Sequence, residues 1–367
     1  RGGLATFNQR LAEEFIKHGD QCTIVSFSLQ YPSLLFPGTS QFSTEPAPKG
    51  LKIHSLINSI YPINWFKTGN IIKKWNPDLI VVRYWIPFMG PALGTILRRI
   101  AKNNKTKIIC IADNVIPHER RPGDLTFTRY FLKACDGFVT MSEKVYKDLK
   151  KYVQLKPVRL VQHPIYDTFG NPVSKEEARN HLNLDNKDKI LLFFGFIRQY
   201  KGLDLLIKAM ADERIRKLQI KLLVAGEFYE DNKPYLQLIK ENNLDNHIIL
   251  RTEFIPDSEV RYYFCAADGV VQPYKNATQS GVTPLAYHFE KPMIVTNVGG
   301  LPAMVPDGKV GIICKPEPSS LSEAIINFYQ LGEDYFIPHL REEKQKYAWS
   351  NLTNAIYDLA KLVKSKH

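Results

Sequence analysis

Hydrophobic positions in the first half of the chain alternate between helical spacing and short continuous apolar runs. Phe7, Leu11 and Phe15 lie one helical turn apart, which predicts an amphipathic helix near the amino terminus. Four apolar runs follow and predict strands at Cys22–Phe27, Leu79–Tyr84, Lys107–Ile111 and Gly137–Met141. Runs without polar alternation are typical of parallel strands, which are buried on both faces. This half is therefore predicted to be a doubly wound α/β domain.

A second alternation of strands and helices begins after a polar loop at residues 168–175. Leu203, Leu206, Ile207 and Met210 lie on one helical face at i, i+3, i+4 and i+7. A last amphipathic helix is predicted at residues 347–364. Six further strands are predicted at Ile190–Phe196, Ile220–Ala225, Ile248–Leu250, Gly269–Gln272, Met293–Thr296 and Val310–Ile313. The predicted parts are a domain at 1–168, a second domain at 169–345 and a terminal helix at 346–367.

A glycine pair, Gly2-Gly3, stands at the start of the first predicted helix. In a doubly wound domain such a pair normally follows a first strand, and nothing precedes Arg1 in this sequence. We therefore expect that one short strand is missing from the amino terminus. Glycines at a helix start can also face a phosphate or a sugar, although two glycines alone are a weak signal.

The composition is that of a globular protein, with 44% hydrophobic and 23% charged residues. The length of 367 residues is typical of two domains. No apolar run has the length needed to cross a bilayer. The five cysteines are odd in number and scattered along the chain, which argues against a disulfide framework or a zinc site. They fit a reducing compartment, so a cytoplasmic location is expected.

Positive charge is concentrated in the first half of the chain. Residues 1–170 hold 24 Lys and Arg against 12 Asp and Glu, whereas residues 171–367 hold 25 of each. The whole excess of +12 therefore lies in the first half, which favours anionic partners such as a membrane surface or a phosphorylated substrate. No nucleic-acid-binding motif is visible, and nucleic acid is not an expected partner. Solubility alone is the competing explanation of the charge.

The stretch "FFGFIRQYKG", Phe193 to Gly202, combines glycines and cations between a strand and a helix. Arg198 and Lys201 are three residues apart and can converge on one diphosphate, while Gly195 allows the backbone to approach it. The alternative is a pair of solvated surface cations. Their position after a buried strand favours the diphosphate site.

A second candidate site is Thr278-Gln279-Ser280-Gly281, which follows the strand Gly269–Gln272 and precedes a helix predicted to begin near Val282. The free amides at a helix start and the helix dipole together attract an anion. Simple capping of the helix is the alternative, and the two roles are compatible.

A third candidate is the loop "ADNVIPHERR", in which Asn114 and His118 follow the strand Lys107–Ile111. Two α/β domains in tandem direct the carboxyl ends of their strands toward a shared cleft, so loops after strands are expected to hold the chemistry. His118 is either a functional or a core histidine. Glu227, after "LLVAG", is the only obvious carboxylate that is expected in this cleft. Because no Asp-x-Asp metal clamp occurs, Arg198, Lys201 and helix amides would neutralise a leaving diphosphate.

Five segments resemble the retaining glycosyltransferases of family four, which have the two-domain GT-B fold. They are "RGGLATFNQRLAEEF", "FGFIRQYKGLDLLIKA", "LLVAGEF", "AADGVVQPY" and "TQSGVTPLAYHFEKPMIVTNVGGLP". The resemblance implies that Arg198 and Lys201 bind the donor diphosphate, and that Gly2 and Gly3 lie near the sugar phosphates. It also implies that His118 contacts the transferring sugar, and that the final helix crosses back to the first domain.

The chain departs from the family pattern at two acidic positions. The family commonly carries two Glu eight residues apart, and alignment on Pro292 places Ala277 and Leu285 there. Ala303 stands where another Glu often follows "GGLP". Some family members share the Thr-Gln-Ser-Gly version of the loop. Because the first Glu is often assigned to sugar hydroxyls, its absence leaves the identity of the donor open, and loss of activity is an alternative.

The resulting hypothesis is a metal-independent, retaining glycosyltransferase that moves a sugar from a nucleotide-diphosphate donor to a glycan or lipid-linked acceptor in cell-surface polysaccharide synthesis. It uses no cofactor and is cytoplasmic, with an anionic membrane inner face as a further candidate partner. His118, Arg198 and Lys201 are the candidate catalytic residues, and Asn114 lies on the acceptor side. The candidate donor-binding residues are Gly2, Gly3, Gly195, Arg198, Lys201, Glu227, Thr278, Gln279, Ser280, Gly281 and Val282. The alternatives are a non-catalytic nucleotide-sugar-binding partner subunit and a sugar-nucleotide epimerase on the same fold.

Overall fold

A computed structural model describes residues 3–32, 50–116, 122–165, 167–277 and 280–363 of the chain. The chain forms two compact units. The first comprises Arg1–Pro164 together with Ala348–His367, and the second comprises Ile165–Tyr347. Each unit has parallel sheets and helices, so the predicted α/β class is confirmed.

Before the last helix, the described residues of the first unit form five helices and six strands. The helices are α1 (Gly3–Lys17), α2 (Pro62–Trp75), α3 (Gly90–Ile100), α4 (Asp124–Ala134) and α5 (Glu143–Lys150). The strands are β1 (Thr23–Leu29), β2 (Lys52–Asn58), β3 (Leu79–Tyr84), β4 (Lys107–Ala112), β5 (Gly137–Thr140) and β6 (Val158–Leu160). Short 3₁₀ turns lie at Pro87–Met89 and Ala101–Asn103. In the described residues, β1 and β2 form a parallel pair, and the other four strands form a parallel sheet in the order β3-β4-β5-β6.

The second unit contains nine helices and six strands among its described residues. The helices are α6 (Lys175–His181), α7 (Leu203–Met210), α8 (Glu213–Lys217), α9 (Lys233–Glu241), α10 (Val260–Ala266), α11 (Val282–His288), α12 (Leu301–Met304), α13 (Pro318–Leu331) and α14 (Glu333–Lys344). The strands are β7 (Lys189–Phe194), β8 (Ile220–Ala225), β9 (Ile248–Arg251), β10 (Gly269–Gln272), β11 (Met293–Thr296) and β12 (Gly311–Cys314). Short 3₁₀ turns lie at Gln199–Lys201 and Gln345–Tyr347.

The six strands of the second unit form one parallel sheet in the order β12-β11-β10-β7-β8-β9. Both faces of the central strand are buried: Ile190 and Leu192 pack into one hydrophobic core, and Leu191 and Phe193 pack into the other. The strand order changes direction between β7 and β10. In open parallel sheets such a switch point is where ligands bind, beyond the carboxyl ends of the strands.

The last helix, α15 (Trp349–Leu362), packs in the first unit rather than the second. Its Leu352, Ile356 and Leu359 are fully buried in a core that also contains α1 and the sheet strands β4 and β5. A Cβ placed on Gly137, at the start of β5, would lie 3.5 Å from Leu359 Cδ2. The first unit is therefore built from two separate stretches of sequence.

Candidate functional site

Three loops of the second unit lie side by side at the switch point of its sheet. They follow β7, β8 and β10, which are neighbours in the order β10-β7-β8. The described residues of these loops are 195–202, 226–230, 273–277 and 280–281. Because the carboxyl ends of parallel strands meet at one edge, these loops bring several of the predicted site residues together.

Glycines allow the loop after β7 to approach its neighbours closely. Gly195 and Gly202 both have positive φ, +94° and +72°. A Cβ on Gly202 would lie 2.0 Å from the Pro273 carbonyl oxygen, so a side chain there would clash with the backbone after β10. A Cβ on Gly195 would lie 3.1 Å from Lys201 Nζ and 4.0 Å from Val282 Cγ2. Gly195, Lys201 and Val282, all predicted to bind the donor, are thus neighbours.

The loop after β8 fixes the backbone of the loop after β7. The Ile197 N–H donates to the Glu227 carbonyl at 2.8 Å, and the Gln199 N–H donates to Glu230 Oε2 at 2.9 Å. A Cβ on Gly226 would lie 2.5 Å from the Gly195 carbonyl oxygen, so the two backbones are in contact. Glu227 is half-buried here, and its backbone carbonyl contributes to holding the cation-bearing loop in place.

Lys201 is a buried cation at the centre of these loops. Lys201 is 8% exposed, and its ammonium nitrogen lies 5.9 Å from the centroid of the Tyr274 ring. Burial, and then the nearby charge of Arg198, lower the pKa of Lys201 to about 8. No described carboxylate contributes to that shift in the opposite direction. Lys201 is therefore a buried positive charge without a carboxylate partner among the described residues.

Arg198 is exposed beside Lys201, three residues earlier in the same loop. Its guanidinium carbon lies 5.1 Å from the centroid of the Tyr229 ring, within the range of a cation–π contact. The aromatic face orients the guanidinium without using its N–H groups. Arg198 is therefore positioned to donate several hydrogen bonds to an anion.

Ser280 contributes to the start of α11 through its hydroxyl group. Ser280 Oγ accepts from the Val282 N–H at 3.1 Å and is 3.2 Å from the Tyr274 hydroxyl. Burial raises the pKa of Tyr274 to about 12, so this phenol remains protonated. Ser280 thus satisfies the first N–H of α11, although the N-cap residue itself, Gly281, makes no side-chain cap hydrogen bond, and α11 begins at Val282 as predicted. Thr278 and Gln279 lie outside the described residues.

Gly281 is a glycine that the packing of the described residues does not require. Its φ of −73° is accessible to every residue type, and its position is exposed. A Cβ at this position would have no described heavy atom within 4 Å. The absence of a side chain therefore keeps open the space in front of α11.

Gln272 is a buried polar residue at this edge that the sequence-based prediction missed. It is 1% exposed at the end of β10, and its Oε1 accepts from Thr283 Oγ1 at 3.0 Å. Its Nε2 is buried without a hydrogen-bond partner among the described residues. A polar residue that ends an apolar strand, "GVVQ", was the available signal.

The first unit carries the remaining predicted residues. Gly3 is the first residue of α1, and Gly2 and His118 lie outside the described residues. Asn114 is half-buried two residues after the end of β4, and its backbone nitrogen is 3.5 Å from the Tyr84 carbonyl oxygen.

The sequence-based prediction also missed an ion pair next to Asn114. Arg83 Nε, on β3, donates to Asp113 Oδ2 at 2.9 Å, and the guanidinium carbon lies 4.0 Å from the Phe7 ring centroid. The ring of His163 packs edge-on against Phe7, and burial lowers the pKa of His163. The position of Asp113 directly after a predicted strand was the signal that could have found this pair.

The described parts of the chain contain neither a candidate metal-binding cluster nor a candidate membrane-spanning helix. In the described ranges, no three His, Cys, Asp or Glu side chains are grouped so that they could hold a metal ion. Likewise, none of the described helices combines the length and apolar character that crossing a membrane requires.

Two family sequence models match the chain, one in each half. The model described as "Glycosyltransferase Family 4" matches residues 1–168, and the model described as "Glycosyl transferases group 1" matches residues 174–347. Together they account for nearly the whole chain.

Individual relatives are distant in sequence. A D-inositol 3-phosphate glycosyltransferase of Segniliparus rotundus is 25% identical over 255 residues, which are 66% of this chain and 56% of that protein. An uncharacterized glycosyltransferase of Methanocaldococcus jannaschii is 26% identical over 299 residues, 79% of this chain and 77% of that protein. The chain spans about half the length, or less, of the D-inositol 3-phosphate glycosyltransferases that it matches.

Solved structures share the architecture over most of the chain. Sucrose-phosphate synthase from Thermosynechococcus elongatus superposes with a TM-score of 0.58 at 17% identity, covering 98% of this chain and 93% of that protein. Anabaena HepE in complex with UDP gives a TM-score of 0.57 at 16% identity, covering 84% and 85%. The predicted GT-B fold with two Rossmann-like domains is thereby confirmed.

Proposed function

The chain belongs to the family 4 glycosyltransferases, and we propose that it transfers a sugar from a nucleotide-diphosphate donor held by its second unit. The observation that carries the proposal is Lys201, a buried cation with a lowered pKa and no acidic partner among the described residues. A strongly perturbed group at a sheet switch point is typical of a ligand site. The complexes of Anabaena HepE with UDP and with UDP-glucose support a nucleotide ligand for this fold.

The donor diphosphate is proposed to lie between Arg198 and Lys201, in front of Gly281. Two cations and an open backbone position suit a group that carries two negative charges. The helix α11 has only seven residues, and its Val282 N–H already donates to Ser280 Oγ. The two side-chain cations therefore supply most of the electrostatic stabilisation, and the helix dipole a smaller part.

The transfer is proposed to retain the configuration of the sugar and to need no metal ion. The bond from the anomeric carbon to the diphosphate oxygen breaks while the acceptor oxygen bonds to the same face, and the acceptor proton passes to the leaving diphosphate. No carboxylate stands at Ala277 or Leu285 to act as a nucleophile. Arg198 and Lys201 stabilise the charge that develops on the leaving group. His118 is proposed to contact the sugar as its anomeric carbon gains positive charge.

The acceptor is proposed to be a glycan or a lipid-linked glycan, bound by the basic first unit on the side of Asn114. This assignment rests on the charge excess of the first half of the chain. A role in cell-surface polysaccharide synthesis, on the cytoplasmic side of a membrane, is proposed on the same ground.

A second candidate function is a partner subunit that binds a nucleotide sugar without turning it over. The residues that favour it are Ala277 and Leu285, which replace the usual acidic pair. Leu285 is 6% exposed and packs into the hydrophobic core, so it cannot take over the polar role of a glutamate.

The test is calorimetric titration with UDP and the other common nucleoside diphosphates, followed by a turnover screen with the matching nucleotide sugars. Arg198→Ala and Lys201→Ala should each weaken binding by about 1.5–3 kcal/mol, roughly 10- to 150-fold. The matched control is Lys208→Ala, an exposed lysine on α7, which should bind like the wild type.

Each outcome separates the candidates. Transfer that persists in EDTA supports the metal-independent transferase, whereas binding without turnover supports the partner subunit. Unchanged affinity in both the Arg198 and Lys201 variants would remove the diphosphate from this site.

A further inference from the structure

A carboxylate from the loop after β8 reaches the turn that carries the two candidate cations. Gln199–Lys201 is a 3₁₀ turn, and Arg198, which precedes it, makes no side-chain cap hydrogen bond. As at any helix start, the first N–H of the turn has no partner inside it. That N–H, of Gln199, donates to Glu230 Oε2 at 2.9 Å. The cap of the turn therefore comes from a residue 31 positions away in sequence.

The second oxygen of the same carboxylate is held by a core residue. The Tyr235 hydroxyl donates to Glu230 Oε1. Tyr235 is 6% exposed on α9, and its ring centroid lies 5.5 Å from that of Phe228. Burial, followed by the hydrogen bond to Glu230 and its charge, raises the pKa of Tyr235, so the phenol keeps the proton that it donates. We call Tyr235 and Glu230 the turn clamp, since α9 fixes one carboxylate oxygen and the other fixes the turn.

The carboxylate of Glu230 does not neutralise the cations of the turn that it caps. Its two oxygens accept from the Gln199 N–H and from the Tyr235 hydroxyl. Burial and Arg198, without a contribution from any described carboxylate, account for the lowered pKa of Lys201. A negative charge close to a proposed anion site is unfavourable by itself, because like charges repel. The presence of Glu230 there therefore points to a role in shaping the turn.

The opposite side of the turn is tied to the loop after β10. The Lys275 N–H donates to the Tyr200 carbonyl at 2.8 Å, and Lys275 Nζ donates to Asp204 Oδ2 at 2.7 Å. Because β10 and β8 flank β7, the turn is held by its first N–H on one side and by its middle carbonyl on the other. Lys201 is the last residue of this turn, so the burial of its ammonium group depends on both ties.

We propose that Glu230, held by Tyr235, is a positioning residue that fixes Arg198 and Lys201 in place before the donor diphosphate arrives. It acts through the backbone of the turn and does not touch the ligand. Cations that are ordered in advance do not have to be ordered on binding, so the turn clamp raises the affinity for the diphosphate. The proposal rests on the diphosphate site of the proposed function and adds a residue that controls it.

The alternative is that Glu230 influences the site only as a nearby negative charge, and the two roles predict effects of opposite sign. As a charge alone, its removal would tighten the binding of an anion. It would also lower the pKa of Lys201, since a negative neighbour stabilises an ammonium group. As a clamp, its removal should weaken the binding of an anion. It should also raise the pKa of Lys201 above about 8, because the loosened turn exposes the ammonium group to water.

The experiment combines calorimetric titration of the full chain with UDP and an NMR titration of the lysine side chains without ligand. UDP is the nucleotide in the complex of Anabaena HepE, and Lys201→Arg assigns the Lys201 signal. Glu230→Ala should weaken UDP binding by about tenfold and raise the pKa of Lys201. Tyr235→Phe, which removes only the hydroxyl, should weaken UDP binding by about threefold.

Two further variants separate the clamp from the charge. Glu230→Gln should restore most of the affinity, because its amide oxygen can accept from the Gln199 N–H and its amide N–H can donate to the Tyr235 hydroxyl oxygen. The matched control is Asp231→Asn, which also removes one negative charge and keeps the acceptor of the Lys233 N–H. This control should bind UDP as tightly as the wild type or slightly more tightly.

Three results would overturn the proposal. They are a Glu230→Ala protein that binds UDP as tightly as the wild type or more tightly, an unchanged or lowered pKa of Lys201 in that protein, and equal losses in the Gln and Ala variants. A lower melting temperature with wild-type UDP affinity would assign Glu230 to stability alone. Loss of binding in Lys201→Ala but not in Glu230→Ala contradicts the clamp, whereas unchanged binding in Lys201→Ala contradicts the proposed function. The NMR titration needs no nucleotide, so it tests the clamp in either case.

Discussion

Lys201 sets the pH range in which the second unit can attract an anion. Because burial and Arg198 destabilise its charged form, its pKa is about 8 in the absence of ligand, against 10.5 for an ordinary lysine. A bound diphosphate stabilises the charged form and raises that pKa again. Protonation of Lys201 is therefore coupled to donor binding.

The expected consequence is a pH-dependent affinity. Below about pH 8 Lys201 is already charged, so the affinity for a nucleotide sugar should be flat. Above about pH 8 Lys201 is mostly neutral and must take up a proton from solvent when the donor binds. The affinity should therefore fall by up to about tenfold per pH unit. The control is Lys201→Arg, because an arginine keeps its charge over the whole pH range. Any pH dependence that this variant shows reports the titration of the ligand itself. A parallel pH dependence of both proteins, measured by calorimetry, would contradict the prediction.

Gly281 offers a second test of the donor site, since a methyl group there would meet no described heavy atom within 4 Å. Gly281→Ala should leave the melting temperature unchanged or slightly raised, because alanine restricts the unfolded chain at a φ it can adopt. The same methyl group should obstruct the diphosphate and weaken donor binding by about 1–3 kcal/mol. The contrast is Gly299→Ala, which should mainly lose stability. A Cβ there would lie 1.5 Å from the Ala277 carbonyl oxygen. A Gly281→Ala protein with wild-type affinity would show that no ligand passes close to this position.

Among the elements, α15 packs into the core of the first unit, although residues Ile165–Tyr347 separate it from the rest of that unit in sequence. Leu359 is fully buried against β5, whereas Leu362, three residues later on the same helix, is 57% exposed. Leu359→Ala should lower the free energy of unfolding of the first unit by about 2–5 kcal/mol. Leu362→Ala should change it by about 0.5 kcal/mol or less.

Tryptophan fluorescence in urea is the suitable measurement. All four tryptophans of the chain, Trp65, Trp75, Trp85 and Trp349, belong to the first unit, so the signal reports that unit alone. An equal effect of the two leucine substitutions would mean that α15 does not pack as described.

Strands with continuous apolar runs could be predicted from the sequence, and other strands could not. Leu79–Tyr84, Ile220–Ala225 and Met293–Thr296 have the predicted bounds. The strand Lys52–Asn58 was missed because "KIHSLIN" mixes polar and apolar residues, and its burial depends on pairing with β1. Val158–Leu160 was missed because three residues are too few to show a period.

The same limit applies to the candidate site. Residues on the loops that follow strands, such as Gly195, Lys201 and Ser280, could be singled out because the strand-end rule needs only local sequence. The contact of Arg83 with Asp113 joins residues thirty positions apart, and it depends on the register of β3 against β4. The burial that gives Lys201 its lowered pKa depends likewise on the loops after β8 and β10. The sequence places such residues near a site but does not show which of them are buried.

At the scale of the whole molecule, the two units divide charge and chemistry unequally. The second unit holds the buried cation and the glycines that surround it. The first half of the chain holds the entire charge excess, and most of that excess lies within residues 50–112. This division is consistent with a donor bound through a few fixed contacts and an acceptor side that responds to a charged surface.

The discontinuity of the first unit has a consequence for the order in which the protein is made. The ribosome completes β4 and β5 early, but α15, which covers them, follows only after all of Ile165–Tyr347 has been synthesised. At typical elongation rates this interval lasts roughly 10–40 s. During that time the second unit can fold completely, while the apolar face around Ile109 and Val139 waits for its last helix. The nascent chain thus finishes its carboxyl-terminal domain first, and the uncovered face of the other domain is where a chaperone would bind.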